Sequence, residues 1–111
     1  MNIIEFFDQN WQLQKWQQGF SKRERTLLTG LSGTAKSLVM ANAYENVAEK
    51  YIIVTDSQFH ANELYDELST LLGEEKVFQF FSDDNIYAEF ALASKDRVAY
   101  RLEALNFLLD E

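Results

Sequence analysis

The sequence contains no cysteine, a single histidine and no long apolar run. Without cysteine it can form no disulfide, which fits a reducing, intracellular location. A zinc site needs three or four ligands, usually from Cys and His, so His60 alone cannot form such a site. We expect His60 to be a surface residue of a helix. No apolar run reaches the roughly 18 residues that a membrane-spanning helix requires. The first residues do not form a signal peptide. We therefore expect a soluble, cytoplasmic protein that holds no metal.

Basic residues are also scarce. Ten Lys and Arg stand against 18 Asp and Glu, which gives a net charge of −8 at pH 7. A field of this sign repels phosphate backbones, so direct DNA binding by this chain is disfavoured. The positive charge is concentrated at residues 21–25. We interpret this segment as a solvated connector; the alternative is a patch that contacts phosphate.

What the sequence does contain is enough apolar material for a core. Its 111 residues are 47% hydrophobic, which suits one compact domain or a piece of one. Apolar runs predict strands at residues 26–29, 51–55 and 76–81. Helical periodicity predicts helices at residues 3–20, 36–50, 57–72 and from Ser94 to the end, with residues 82–93 as a loop.

This alternation predicts the fold class. Strands separated by helices of this length imply right-handed crossovers and a parallel sheet with helices on its faces. We therefore expect an α/β, three-layer, P-loop NTPase-like domain in truncated form. Residues 1–24 would form an amphipathic helix and connector, and residues 25–111 the partial α/β domain.

Local signals predict where two of the helices end or begin, and how one of them packs. Gly73 is the expected C-cap of the helix at residues 57–72, and Ser94 the expected N-cap of the last helix. On that last helix Val98, Leu102, Leu105 and Leu109 recur at helical spacing, which predicts a face turned to the core.

The segment GLSGTAKS, residues 30–37, is the main candidate site. The phosphate-loop pattern GxxxxGK[ST] places backbone N–H groups around phosphates, the Lys on the terminal phosphates and the hydroxyl on magnesium. Gly30, Gly33, Lys36 and Ser37 are therefore the candidate nucleotide-binding residues. Ala35 stands where the pattern has its second defining glycine, and its Cβ adds volume where the anion would sit.

Two interpretations of this segment stay open. One is weak anion or nucleotide binding, as in a fragment of a P-loop NTPase or helicase. The other is a tight turn from strand to helix, in which the glycines serve backbone geometry. No strand ends in the acidic residue that would hold magnesium and orient water, so hydrolysis is not expected and no catalytic residue is assigned.

Several segments together resemble the N-terminal UvrB-like module of bacterial transcription-repair coupling factors. GLSGTAKS is similar to the altered phosphate loop of that family, in which Ala likewise precedes the basic residue. The opening helix, HANELYDELSTLLG (residues 60–73) and FALASKDRVAYRLEALNFL (residues 90–108), with Arg101 and Leu102, are similar too. The chain departs from the family in having no proline, which the family often has near Phe81, Tyr87 and Lys95.

The resemblance implies a role in transcription-coupled DNA repair. It implies a non-catalytic module, in a full-length protein that displaces stalled RNA polymerase, recruits the UvrA excision-repair machinery and moves on DNA with ATP and magnesium. The motor of such a protein lies elsewhere. The implied partners are UvrA, RNA polymerase and DNA through the full-length protein, together with neighbouring domains of the same chain. No cofactor is implied for this fragment itself.

Overall fold

The architecture that the structure shows is helical. A computed structural model describes residues 3–4, 9–47, 49–81 and 93–110, with only the backbone described at residues 93–97. Its helices are α1 (Trp11–Ser21), α2 (Ala35–Asn46), α3 (Gln58–Leu72) and α4 (Ala93–Leu109), and a 3-10 turn at Glu74–Lys76 follows α3. Within the described ranges, no helix combines the length and apolarity that a membrane crossing needs.

The prediction of a three-layer parallel α/β sheet is wrong, because the described residues contain no strand. The segments predicted as strands, at residues 26–29, 51–55 and 76–81, contain no regular strand or bridge, and the last one begins with the end of the 3-10 turn. Their apolar side chains are largely exposed, with Leu27 at 85% and Val54 at 88%. A strand needs a partner for its backbone N–H and C=O groups. An apolar run indicates a tendency toward burial, but it cannot supply that partner.

The helices follow local rules, and most of them were predicted. Asn10 caps α1, since its side-chain oxygen accepts from the backbone N–H groups of Gln12 at 2.9 Å and Leu13 at 3.3 Å. Ser57 caps α3 in the same way, accepting from the His60 N–H at 3.2 Å. The predicted C-cap at Gly73 is confirmed.

Both ends of the chain need corrections. The predicted first helix is interrupted, because residues 9–10 form a turn before α1 begins, and residues 5–8 lie outside the described part. Ser94 lies inside α4, which already includes Ala93, and is therefore not its N-cap. Residues 82–92 of the predicted loop lie outside the described residues, and its last residue, Ala93, belongs to α4 instead.

The chain divides into two compact units, Met1–Ile52 and Ile53–Glu111. The core of the first unit contains Ile4, Leu13 of α1, and Val39, Ala41 and Ala43 of α2. Three aromatic rings extend it: Trp16 stacks on Phe20 with centroids 5.5 Å apart, and Phe20 stacks on Tyr51 at 5.2 Å. The predicted boundary after residue 24 is a different division and stays a prediction.

The second unit is built on α3, α4 and the segment at residues 77–81. Phe78 stacks on Phe107 of α4 with centroids 4.6 Å apart, and Phe81 meets Tyr100 at 5.6 Å. The guanidinium of Arg101 lies 4.7 Å from the centre of the Phe80 ring, a cation–π contact. Apolar residues of the predicted third strand therefore contact a helix instead of entering a sheet.

These ring contacts also reverse the predicted orientation of α4. At 3.6 residues per turn, Tyr100, Ala104 and Phe107 share one face, and Ala104 is buried there. The stripe predicted as core lies roughly half a turn away and is exposed: Val98, Leu102, Leu105 and Leu109. The prediction for this face is wrong, because α4 carries two apolar faces and, among the described residues, the aromatic face makes the ring contacts while the other face is exposed.

Candidate functional site

The glycines of the candidate phosphate loop form an exposed turn ahead of α2. Gly30 has φ of 83° and Gly33 has φ of 57°, values that side chains with a Cβ rarely adopt. A Cβ built on either residue would meet no atom within 4 Å. Backbone conformation therefore explains both glycines, without a close approach of any neighbouring group.

Ala35 has an ordinary environment, because it is the first residue of α2. Right-handed helical backbone suits alanine better than glycine, so the residue that departs from the phosphate-loop pattern is favourable here. Its N–H donates to the Ser32 carbonyl at 3.2 Å and is thus engaged within the turn.

Lys36 and Ser37 have opposite exposures. Lys36 is exposed, as are Gly30 and Gly33, whereas Ser37 is 0% exposed. A phosphate loop needs the hydroxyl on the same open surface as the lysine, so that it can hold the magnesium of a bound nucleotide. Of the four candidate residues, Gly30, Gly33 and Lys36 are therefore exposed and Ser37 is buried.

Replacing Gly30 with alanine should lower the free energy of unfolding by about 1 kcal/mol, because the positive φ is strained for any residue with a Cβ. Urea unfolding followed by tryptophan fluorescence measures this change, since Trp11 and Trp16 both lie in the first unit. Ser32→Ala in the same turn is the control and should change the stability by less than about 0.5 kcal/mol. Equal stability of Gly30→Ala and the wild type would show that the turn does not need glycine.

Asn42 forms a buried polar centre that the sequence analysis did not identify. It is 1% exposed, and its side-chain N–H donates to the Ile4 carbonyl at 3.1 Å. Its side-chain oxygen accepts from the side-chain amide of Gln17 on α1. Asn42 thereby joins α1, α2 and the chain around Ile4. The available signal was an amide in the apolar stretch Val39 to Ala43, where a polar side chain needs buried partners.

A groove lies beside this centre, within the first unit. It has a volume of about 580 Å³ and is lined by residues of α1 and of the end of α2 and the turn after it: Gln14, Gln17, Gln18, Ser21, Asn46, Val47 and Glu49. Most of these side chains are amides or hydroxyls, and Glu49 is the charged member. We call this feature the carboxamide groove.

The single histidine takes part in the start of α3. His60 Nδ1 lies 2.5 Å from Asp56 Oδ1, four residues earlier, and both side chains are more than half exposed. The hydrogen bond with His60 holds the pKa of the Asp56 carboxyl below its ordinary value. Within the described residues, no three His, Asp or Glu side chains converge to hold a metal ion. The pair therefore supports the start of the helix.

Comparison with known proteins gives three informative relatives. The chain is 36% identical over 83 residues to the transcription-repair-coupling factor of Bacillus subtilis, a match covering 74% of this chain and 7% of the relative. The protein of the same name from Staphylococcus aureus is 26% identical over 83 residues, covering 75% of this chain and 7% of the relative. The UvrABC system protein B of Onion yellows phytoplasma is 26% identical over 106 residues, a match covering 94% of this chain and 16% of the relative.

These matches confirm the resemblance that the sequence motifs indicated. The chain is homologous over about three quarters of its length to proteins named transcription-repair-coupling factor, and it spans about 7% of their length. No family model matches the chain. No solved structure matches it either.

Proposed function

We propose that this chain is a non-catalytic module of a transcription-repair coupling factor. The observation that carries the proposal is the 36% identity to the Bacillus subtilis protein over 83 residues. In the proposal, the whole protein displaces stalled RNA polymerase from DNA and recruits UvrA, and it uses ATP and magnesium through a motor outside these residues. This chain contributes to those activities as a scaffold.

The geometry of the candidate loop supports a role without nucleotide chemistry. The Ser37 hydroxyl is buried and the Ala35 N–H is engaged by Ser32, so two groups that a phosphate loop directs at its ligand face elsewhere. The net charge of −8 adds a field that repels polyphosphates. The loop is then a mark of descent from a nucleotide-binding fold.

Exposed apolar surface supports a role in contacts with neighbouring domains. The face of α4 opposite the aromatic contacts exposes four aliphatic side chains at helical spacing: Val98, Leu102, Leu105 and Leu109, the last of which is 79% exposed. Contiguous apolar surface of this kind marks protein interaction sites more often than free surface. In the proposal, it is a surface on which a neighbouring domain of the same protein packs.

Titration with ATP and magnesium tests the scaffold role against the alternative, a nucleotide-binding fragment of a P-loop NTPase or helicase. We expect no saturable change in tryptophan fluorescence or in Tm for the wild type. We also expect none for Ala35→Gly, because restoring the missing glycine leaves Ser37 buried.

Lys36→Ala is the matched control for that titration, since Lys36 is exposed and its loss should not affect folding. Saturable binding by the wild type that disappears in Lys36→Ala would contradict the scaffold role and favour the alternative.

A further inference from the structure

The segment at residues 50–56, which lies between α2 and α3 in the sequence, has an open backbone. Among the residues that the structure describes, no backbone group forms a hydrogen bond with the N–H or C=O groups of residues 51–55. A row of unpaired, exposed backbone groups is a template for a strand of another chain. The run Tyr-Ile-Ile-Val-Thr is uncharged and mostly β-branched, so it favours a strand once a partner is present.

Exposure alternates along this segment with the period of a strand. Ile52 is 76% exposed and Val54 is 88% exposed, whereas Ile53 between them is 43% exposed. Tyr51 and Thr55 are half-buried. In a strand, residues two positions apart share a face, so the two most exposed aliphatic side chains lie on the same face. Protected strand edges usually carry a charge or a proline, and residues 51–55 contain neither.

The charges at the two ends of the segment select the partner. Lys50 precedes the apolar run and Asp56 follows it, and both are exposed. When two copies pair antiparallel about Ile53, Lys50 of each copy lies opposite Asp56 of the other, so two favourable pairs form. Parallel pairing in register would instead bring like charges together. Asp56 contacts His60, but a carboxylate accepts several hydrogen bonds and can also serve a lysine.

We propose that residues 50–56 pair antiparallel with the same segment of a second copy of this chain. Ile52 of each copy then packs against Val54 of the other, which covers the most exposed apolar side chains of the segment. A contact of two strands is only marginally stable in water, so the dimer is reversible and forms at high protein concentration. This surface goes beyond the proposed function, since pairing requires only two copies of the chain.

Sedimentation equilibrium tests the dimer, over about a hundredfold range of protein concentration that reaches about 1 mM. We expect a reversible equilibrium between monomer and dimer. Two-dimensional ¹H–¹⁵N NMR over the same range should show shifts that depend on concentration and are largest for the backbone amides of residues 51–55. A monomer at every concentration, or shifts confined to other residues, would overturn the proposal.

Val54→Lys should weaken dimerisation at least about tenfold, because it places a charge in both contacts between Ile52 and Val54. Leu27→Lys is the matched control: Leu27 is an aliphatic residue of similar exposure, 85%, outside the segment. It should leave dimerisation unchanged. Both side chains are exposed, so neither substitution should prevent folding. An equal effect of the two variants would indicate general apolar association and contradict pairing of the segment.

Exchange of the end charges tests the register. Lys50→Asp and Asp56→Lys should each weaken dimerisation at least about tenfold, because like charges then face each other at both ends. An equimolar mixture of the two variants should restore dimers, since opposite charges meet again at both ends. Circular dichroism of Asp56→Lys alone shows whether α3 persists without the His60 contact. Failure of the mixture to dimerise, with both variants folded, would refute the antiparallel register.

Discussion

Replacing Asn42 with alanine is expected to lower the free energy of unfolding of the first unit by about 2–4 kcal/mol. The substitution removes hydrogen bonds to the Ile4 carbonyl and to the Gln17 amide in a place where Asn42 is 1% exposed. Burying a polar group without its partner costs about 1–3 kcal/mol, and the lost side-chain volume adds to that cost.

Urea unfolding followed by tryptophan fluorescence measures this effect in the first unit. Asn46→Ala is the matched control, because Asn46 is exposed and donates one bond to the Asn42 carbonyl at 3.0 Å. Its cost should stay below about 1 kcal/mol. If Asn42→Ala cost no more than Asn46→Ala, Asn42 would not be the centre that joins α1 to α2.

Phe107→Ala is expected to destabilise the second unit by about 2–3 kcal/mol. The ring is half-buried and stacks on Phe78 with centroids 4.6 Å apart, so its removal exposes one face of Phe78 and leaves a gap beside α4. Full burial of a phenylalanine would make the cost about 3–5 kcal/mol, and partial exposure reduces it. Urea unfolding followed by circular dichroism at 222 nm reports the change, since this unit is rich in helix and has no tryptophan.

Leu105→Ala is the control that also decides which face of α4 is inside. Leu105 is 41% exposed on the opposite face, so its loss should cost well under half as much as that of Phe107. The sequence pattern alone predicts the reverse order. A larger cost for Leu105→Ala than for Phe107→Ala would restore the predicted orientation and contradict the ring contacts.

Helix positions were predictable because they depend on neighbours in the sequence. Ser57 caps α3 three residues before the N–H it accepts, and Gly73 ends the same helix. The glycines of the candidate loop were also identified from the sequence, since the spacing of Gly30 and Gly33 required a turn ahead of a helix.

The failed predictions of the sheet and of the buried face of α4 concern partners that are distant in the sequence. The run at residues 51–55 has the β-branched composition of a buried strand. It forms no strand, and the described residues contain none that could pair with it. α4 has two apolar faces, and its amphipathic pattern could not show which one packs on the aromatic rings of residues 78 and 81. The motif could also not show that Ser37 is buried, because its burial depends on how α2 packs.

The sequence by itself determined the family resemblance, the acidic character, the bounds of α3 and α4 to within two residues, and the turn at Gly30 and Gly33. These follow from residue identity and from interactions over a few positions. Only the tertiary structure decided that Lys36 and Ser37 face different environments and that Asn42 is buried between α1, α2 and Ile4. Those features depend on which side chains from distant segments meet, and short-range patterns carry no information about that.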